Sequence, residues 1–316
     1  MLKPLLPDLD CHHDSAMAQN CALLLILLLL APAAQAREFH LRVGPTGEFP
    51  SLSSAIEHLV AQKRGPVDAR INVDPGVYSG ESIVLRPPDT LRSLSIAGEK
   101  AVFDGIANQA TFLRLIGIVG RPTRISISGI TIRRYKTAIL LYGSREERAR
   151  WNSDNVIRGI AFEDIGARAA DSPSTAVIGL FNSRRNTIEG NTFVRVYNTT
   201  GCGAMHALYL AHFSSENSIK RNWVEQPCGD PVRLRDASDN NVAENNGFAN
   251  AAHHAYFTEW FCDRRRQANC TKLSGECPPL GNVFRQDGMT ARSGDPPGPV
   301  YANLSAPSTG CSPDHP

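Results

Sequence analysis

The chain has 316 residues, of which 42% are hydrophobic and 20% are charged, and its formal net charge at pH 7 is +2. This length accommodates one large domain or two modest ones. Because the charges nearly balance and the longest Lys/Arg run is only three residues, 264–266, the composition gives no argument for a nucleic-acid partner, and we predict none.

The first 36 residues are typical of a secretory signal. An apolar run of about ten residues, too short to cross a bilayer, ends in a small-residue cleavage site, so we expect cleavage after Ala36. A start at Met17 would give a more compact signal than a start at Met1. We therefore predict a secreted or periplasmic protein without stable membrane insertion after cleavage; an uncleaved anchor is the alternative.

One amphipathic helix is predicted near the start of the mature chain. Ser51 is the expected N-cap, and residues 51–60 place an apolar stripe on one helical face: Leu52, Ala55, Ile56, Leu59 and Val60. From about residue 70 onward the sequence consists of short alternating segments separated by turn residues, which predicts strands.

A repeat becomes visible in the middle of the chain. An asparagine recurs two residues before a branched apolar residue, in the pairs Asn155/Ile157, Asn186/Ile188, Asn217/Ile219 and Asn240/Val242, spaced 31, 31 and 23 residues apart. A unit this short cannot bury its own apolar face, so stacking of units into a solenoid is expected. The stacked asparagines are expected to hydrogen-bond to one another and to tolerate left-handed turns.

Three later segments, residues 205–212, 229–236 and 252–259, can be aligned with one another as strands with alternating faces. Leu210, Leu234 and Phe257 form the expected buried column. The alignment predicts three further columns: Tyr209, Arg233 and Tyr256, with Arg235 two residues beyond Arg233; His212, Asp236 and Glu259; and His206, Asp230 and His253.

Several stretches have a characteristic sequence pattern: NTIEGNTF, NNVAENN, ALYLAH, VRLRDAS, and the opening GPTGEFPSLSSAIEHL followed by INVDPGVYSG. Together they resemble the pectate-lyase-like superfamily over roughly residues 38–260. The resemblance implies an all-β fold: a right-handed parallel β-helix solenoid with a short N-terminal capping helix. After Trp260 the repeat stops, and four cysteines with many Pro and Gly residues predict a Cys-rich irregular C-terminal segment. The expected division is a signal in residues 1–36, the β-helix in 37–262 and a disulfide-pinned segment in 263–316.

The same resemblance leaves the activity open. The superfamily includes uronate polysaccharide lyases, C5-epimerases, glycoside hydrolases, pectin esterases, phage tailspikes and non-catalytic surface proteins. The sequence has neither the clustered aspartates around a G-H-G signature of polygalacturonases nor the Asp-Pro-His-Asp motif of alginate epimerases. No particular catalytic residue is therefore carried over from the superfamily.

The residue types in the aligned columns suit chemistry on a uronate. β-Elimination needs a group that neutralises the carboxylate, a base for the C5 proton and an acid for the leaving oxygen. Guanidinium groups bind carboxylates, histidines titrate near neutrality, and tyrosines donate protons. The candidate catalytic residues are Arg233, Arg235, His212, Tyr209, Asp236, His206, His253, Tyr256 and Glu259.

Three functions follow from these residues. The favoured one is a lyase or C5-epimerase acting on an acidic polysaccharide. A non-catalytic glycan-binding or structural β-helix is the second, since the charged residues would also form cross-strand ion pairs of little energetic value. The third is a glycoside hydrolase, in which Asp236 and Glu259 would be the two carboxylates. No cofactor is predicted with certainty, and Ca²⁺ bound by the carboxylates stays open.

Six cysteines follow the signal, and an even number in an exported protein favours disulfides over zinc, for which no CxxC pair is present. Cys202 and Cys228 each lie shortly before an aligned strand, so they are expected on neighbouring coils and paired with each other. The sequence does not select a pairing among the other four: Cys262, Cys270, Cys277 and Cys311.

Overall fold

A computed structural model describes residues 36–168, 172–250, 254–262, 276–285 and 301–304. Apart from Ala36, the predicted signal lies outside the described residues. The described part holds one α-helix, α1 (Leu52–Val60), and a single 3-10 turn at Cys202–Ala204. None of its helices is long and apolar enough to cross a membrane.

Short strands make up most of the described chain. The first group comprises β1 (Arg37–Val43), β2 (Val67–Val73), β3 (Gly76–Ser79), β4 (Ile83–Leu85), β5 (Leu91–Ala97), β6 (Ala101–Asp104), β7 (Thr111–Ile116), β8 (Ile118–Val119) and β9 (Ile125–Ser128). The second comprises β10 (Thr131–Arg133), β11 (Thr137–Tyr142), β12 (Arg150–Ser153), β13 (Val156–Arg158), β14 (Ala161–Glu163), β15 (Ala176–Phe181), β16 (Ser183–Arg184), β17 (Thr187–Glu189) and β18 (Thr192–Val196). The third comprises β19 (His206–Ala211), β20 (Ser218–Lys220), β21 (Trp223–Pro227), β22 (Val232–Arg235), β23 (Val242–Glu244), β24 (Gly247–Ala249), β25 (Phe257–Trp260), β26 (Val283–Arg285) and β27 (Tyr301–Asn303).

These strands form three long sheets. Sheet A has the order β1-β2-β5-β9-β13-β17-β20-β23-β26, sheet B the order β24-β21-β18-β14-β10-β6-β3, and sheet C the order β27-β25-β22-β19-β15-β11-β7-β4. All pairings within them are parallel, and each coil of chain contributes successive strands to different sheets. A small ribbon joins β8, β12 and β16. The predicted parallel β-helix is thus confirmed.

Stacked apolar side chains hold the coils together. In sheet A the inward column passes through Ile71, Ile96, Ile127, Ile157, Ile188 and Ile219, each directly opposite the next. All six are at most 2% exposed. Because adjacent strands lie about 4.8 Å apart, each isoleucine packs on the equivalent residue of the next coil and the core is continuous along the axis.

The N-terminal helix forms as the sequence predicts. The Ser51 hydroxyl accepts a hydrogen bond from the Ser54 N–H at 3.1 Å, as expected of an N-cap. Buried Glu81 accepts from the Leu52 and Ser53 N–H groups at 2.9 and 2.8 Å, which ties the helix start to the coil beneath it. The predicted stripe is correct except for Val60, which is 39% exposed.

The predicted asparagine ladder between the coils is present, but its fourth member differs. The ladder runs Asn155, Asn186, Asn217, Asn241 and Asn282, with amide contacts of 2.7–3.0 Å. Asn240 was expected at the fourth place and instead has a left-handed backbone. The same one-residue shift puts Ala243, rather than Val242, opposite Ile219 in the core.

The register of the third aligned segment also differs from the prediction. Leu210 pairs with Leu234 as expected, but Val232, not Leu234, lies opposite Phe257. Since the side-chain period of a strand is two, a slip of two residues leaves Phe257 buried while moving it by one column. Glu259 thereby falls beside Leu234 and not beside Asp236.

The predicted disulfide is present. Cys202 and Cys228 are bonded, with their Cα atoms 5.1 Å apart, and they link the turns before β19 and β22. Cys262 and Cys277 are each disulfide-bonded as well. Cys270 and Cys311 lie outside the described residues.

Candidate functional site

The outward face of sheet C carries the candidate site. Because facing residues of parallel strands are in register, one outward row contains Arg114, Leu140, Gly179, Tyr209, Arg233 and Thr258. Tyr209 and Arg233 are therefore neighbours, as predicted. Tyr256 is not in this row: Thr258 takes its place, and the Tyr256 ring stacks on Phe248 at 4.5 Å between centroids.

A histidine and a carboxylate are paired where the strands of sheet C end. His212 and Asp236 follow β19 and β22 and both have left-handed backbones, with φ of 53° and 50°. His212 Nδ1 lies 2.6 Å from Asp236 Oδ2. Asp236 is 1% exposed, whereas the His212 side chain is 16% exposed. No described residue bonds to His212 Nε2.

Glu276 is the central carboxylate of the site and was not predicted. Its oxygens accept two hydrogen bonds from Arg235, at 2.9 Å from Nε and 2.6 Å from Nη2, and one from the Cys262 N–H at 2.7 Å. The Arg235 guanidinium also lies 4.3 Å from the ring centroid of Trp260. Glu276 lies in the C-terminal segment. That segment contains no repeat from which the position of Glu276 beside sheet C could be predicted.

A loop from a distant coil adds a second unpredicted residue. Residues 143–149 connect β11 to β12, and the Asn182 side-chain amide donates to the carbonyls of Ser144 and Arg150 at 2.8 and 3.0 Å. The loop passes over the turn after β19, where the Arg148 guanidinium lies 4.0 Å from the centroid of Phe213. These contacts hold the loop against the coils that carry the site.

Arg145, on this loop, reaches the two buried carboxylates of the site. Its Nε lies 3.3 Å from Asp236 Oδ2, and its Nη2 lies 3.9 Å from Glu276 Oε1. Both contacts are longer than the two bonds between Arg235 and Glu276. Its side chain is 23% exposed, so Arg145 retains donors that an anionic ligand can reach.

Tyr209 is the other titratable group beside the histidine. Its hydroxyl accepts a hydrogen bond from Arg235 Nη1 at 3.1 Å. Phe181 packs against both Tyr209 and His212, with centroids 5.9 and 5.8 Å away, so both rings border the same side chain. Burial raises the pKa of Tyr209, and the nearby Arg235 offsets this rise in part. Tyr209 is therefore a phenol, not a phenolate, at neutral pH.

Arg233 belongs to a separate, more enclosed network. It pairs with Asp230, whose side chain is fully buried, and donates to Thr258 Oγ1 at 3.0 Å. Asp230 also accepts from the His254 N–H at 2.7 Å. Burial alone would raise the pKa of Asp230, but the His254 N–H and Arg233 outweigh it and lower that pKa. The Arg233 guanidinium therefore forms its ion pair with a carboxylate of the protein itself.

The remaining predicted residues are dispersed. His206 is 2% exposed and its Nδ1 lies 2.7 Å from the Asp230 carbonyl oxygen. Glu259 is bonded to Asn282 at 2.8 Å and Tyr301 at 2.6 Å, and it lines a cavity whose described lining does not include Asp236. The predicted His212/Asp236/Glu259 column is therefore wrong, because the register moved Glu259 away. His253 lies outside the described residues.

Three donors of the site have the spacing of a metal centre. One ligand atom from each of His212, Asp236 and Glu276 lies within 4.8 Å of the others. The same carboxylates, however, already face the guanidiniums of Arg235 and Arg145. Two fixed positive charges oppose a divalent cation at this point, so the donor set fits an ion-pair network better than a metal.

Neither a protein-family model nor a curated protein matches the sequence. Among solved structures, an alginate lyase from Paenibacillus sp. str. FPU-7 is similar, with 11% identity over 84% of this chain and 97% of that one and a TM-score of 0.46. The pectate lyase Pel9A has 12% identity over 81% and 61% of the two chains, with a TM-score of 0.44.

A third similar structure is the pectate lyase Bsp165PelA from Bacillus sp. N165 in complex with trigalacturonate. It has 11% identity over 86% of this chain and 90% of that one, with a TM-score of 0.37. At these identities and TM-scores the likeness carries no information about the reaction.

Proposed function

We propose that the protein is an exported enzyme that removes the C5 proton of a uronate in an acidic polysaccharide, by lyase or C5-epimerase chemistry. The observation that carries this is the juxtaposition of a His212–Asp236 pair with the Tyr209–Arg235 pair around Phe181. A base and an acid that lie close together on one sheet face are what proton transfer at a sugar carbon needs.

The contacts suggest a role for each group. Asp236 accepts from Nδ1 of His212, which fixes the tautomer in which Nε2 is the base. Tyr209, kept protonated by burial, donates to the leaving oxygen in a lyase or returns the proton from the other face in an epimerase. Arg235 is held rigidly by Glu276 and orients the phenol.

Neutralisation of the substrate carboxylate falls to Arg145. Arg233 and Arg235 were the predicted carboxylate ligands, but each is already paired with a buried carboxylate of the protein. Arg145 makes longer contacts and keeps donors for a ligand. A guanidinium close to the C5 proton lowers the cost of the enolate-like charge that develops when the proton leaves.

Export is part of the proposal. The disulfide between Cys202 and Cys228 supports an oxidising compartment, in agreement with the predicted signal. A secreted or periplasmic enzyme also has access to polymers that do not enter the cytoplasm.

The test is a panel of alginate, polygalacturonate and glucuronate-containing polymers in deuterated water. A lyase gives the ultraviolet absorbance of an unsaturated uronate, and an epimerase gives deuterium at C5 in the NMR spectrum. We expect one of the two signals with wild type and neither with His212→Gln. Absence of both signals with every polymer would overturn the assignment.

A non-catalytic glycan-binding protein is the second candidate. The observation in its favour is that the guanidiniums of Arg233 and Arg235 are satisfied by Asp230 and Glu276, as in a structural ion network. It predicts binding of a polyuronate without deuterium exchange. The hydrolase alternative lacks such support, because Asp236 and Glu259 contact different partners.

A further inference from the structure

A groove of about 390 Å³ lies beside the site on the outer face of sheet C, over β7, β11 and β15. It shares Phe181 with the site, since that ring lines the groove and also packs on Tyr209 and His212. The groove therefore adjoins the proposed reaction centre, and it is not used by any step described above.

The charged side chains in the described lining of the groove are all positive. Arg114 and Lys136 line it, and its described lining contains no carboxylate. Arg114 is exposed and forms no hydrogen bond or ion pair within the described part of the chain. Lys136 Nζ lies 2.5 Å from the Ser172 hydroxyl, a neutral partner. Both cations are thus available to an anionic ligand, unlike Arg233 and Arg235.

The floor of the groove is open because of a glycine. Gly179 lies between Leu140 and Tyr209 in the outward row. A Cβ built at Gly179 would lie 2.9 Å from Leu140 Cδ1 and 3.1 Å from a Phe181 ring carbon. Any larger residue would therefore fill the space between the walls, whose apolar surfaces suit the C–H faces of a sugar.

We propose that this groove binds the uronate units on one side of the reacting sugar, with Arg114 and Lys136 as carboxylate ligands and Gly179 as the floor. This deepens the proposed function and rests on it for the substrate class. Arg114 lies three strands from Tyr209 in the same row, so a bound chain must extend about 14 Å across the strands to reach it.

Binding without turnover is the first test. Wild type and variants are run in native gels that contain alginate, polygalacturonate or a neutral galactan. Arg114→Gln and Lys136→Gln should each raise the apparent Kd for the retarding polyuronate about tenfold, as expected for loss of one charge-assisted contact. Gly179→Val should do the same without changing any charge. Arg158→Gln, an equal charge change on exposed residue 158 of sheet A, should have no effect.

Chain length gives the second test. In a turnover assay, Arg114→Gln should raise KM for long polymers and leave the shortest oligouronide that is turned over unaffected, because a short chain does not reach Arg114. The fold of Gly179→Val is checked by its thermal unfolding midpoint, and Gly179→Ala serves as a milder substitution if the valine variant fails to fold.

The outcomes separate the two proposals. Groove-dependent binding without any turnover would support the groove and overturn the enzymatic assignment. Turnover with unchanged polymer binding in Arg114→Gln, Lys136→Gln and Gly179→Ala would overturn the groove and leave the enzymatic assignment standing. Absence of polyuronate binding by wild type would overturn the groove as well.

Discussion

Arg145 Nε lies 3.3 Å from Asp236 Oδ2, although Arg145 follows β11 and Asp236 follows β22. Strands β15 and β19 lie between these two in sheet C, a distance of about 14 Å across the sheet. The loop of residues 143–149 covers this distance, so the site combines groups from coils that are not neighbours. Arg145 therefore depends on the loop for its position, and we expect its substitution to leave the strands intact.

The first prediction is that Arg145→Ala raises KM about tenfold or more for a polyuronate and also lowers kcat, because the guanidinium both binds the substrate carboxylate and offsets the charge that develops on it. The preference for the free acid over the methyl ester of the same polymer should fall with it. Steady-state kinetics on both polymers measure this. Arg185→Ala is the matched control, since Arg185 pairs with Asp154 at the surface. An unchanged preference would contradict the role of Arg145.

The second prediction concerns the partner of the base. Asp236→Asn should lower kcat by about 10²–10⁴, because an amide does not fix the His212 tautomer as a carboxylate does. Its backbone contact from Cys277, at 3.3 Å, can be kept by the amide oxygen, so the fold should persist. Asp154→Asn is the control. Equal turnover by the two variants would exclude Asp236 from the mechanism.

The sequence predicts the parallel β-helix well, because the fold depends on periodic residues. The asparagines and isoleucines recur once per coil, and a recurrent residue marks the register directly. The prediction fails where the coil length changes. Beyond Asn217 the spacing drops from 31 to 24, and the alignment slipped by one residue at Asn240 and by two at Phe257.

The site was predicted only in part, for a related reason. Tyr209, Arg233 and the His212–Asp236 pair lie on consecutive coils, so their contact follows from the repeat. Glu276 and Arg145 lie in a non-repeating segment and in a loop, where no period relates sequence to position. A buried carboxylate was nevertheless implied by Arg235, since a guanidinium on a crowded sheet face needs a counter-charge.

The third prediction is that Arg233→Ala destabilises the protein by about 3–5 kcal/mol, because it leaves the buried Asp230 carboxylate without its counter-ion. A surface residue without such a buried partner would cost only about 0.5 kcal/mol on removal. Urea unfolding measures the difference. The double variant Arg233→Met/Asp230→Asn should lose less than the sum of the single variants, because no charge is then left unpaired. A loss under about 1 kcal/mol for Arg233→Ala would show that Asp230 finds another partner.

The fourth prediction concerns acid stability and Asp104, which is 1% exposed at the end of β6. Hydrogen bonds from Arg134 outweigh burial and lower the pKa of Asp104 from 3.8 to about 2. A pKa lower in the folded than in the unfolded chain stabilises the fold above about pH 4, and this contribution is lost as the pH falls towards 2. It amounts to at most about 2 kcal/mol.

Asp104→Asn should therefore lower the free energy of unfolding at about pH 7 by up to about 2 kcal/mol, and the gap to wild type should close near pH 2. Urea unfolding at several pH values measures both proteins. A gap that stays constant over this range would mean that packing, not charge, accounts for the loss.

The last prediction tests which residue is the proton donor and which is the base, Tyr209 or His212. Tyr209 is 7% exposed, and burial raises its pKa above the ordinary value near 10. A group that donates a proton is active below its pKa, so a raised pKa extends activity further into alkaline pH. The raised pKa also keeps Tyr209 protonated at neutral pH, so it cannot act as the base there. That role falls to His212.

Tyr209→Phe should thus lower kcat by about 10²–10⁴ at neutral pH, since the proton donor is removed. Stability should change little, because the ring contacts with Phe181 and His206 remain and Arg235 keeps both bonds to Glu276. For wild type, kcat should stay high past pH 10, while His212→Gln should be inactive throughout. If wild-type activity instead rises only as the pH approaches the pKa of a phenol, Tyr209 is the base, and His212 and Tyr209 exchange roles.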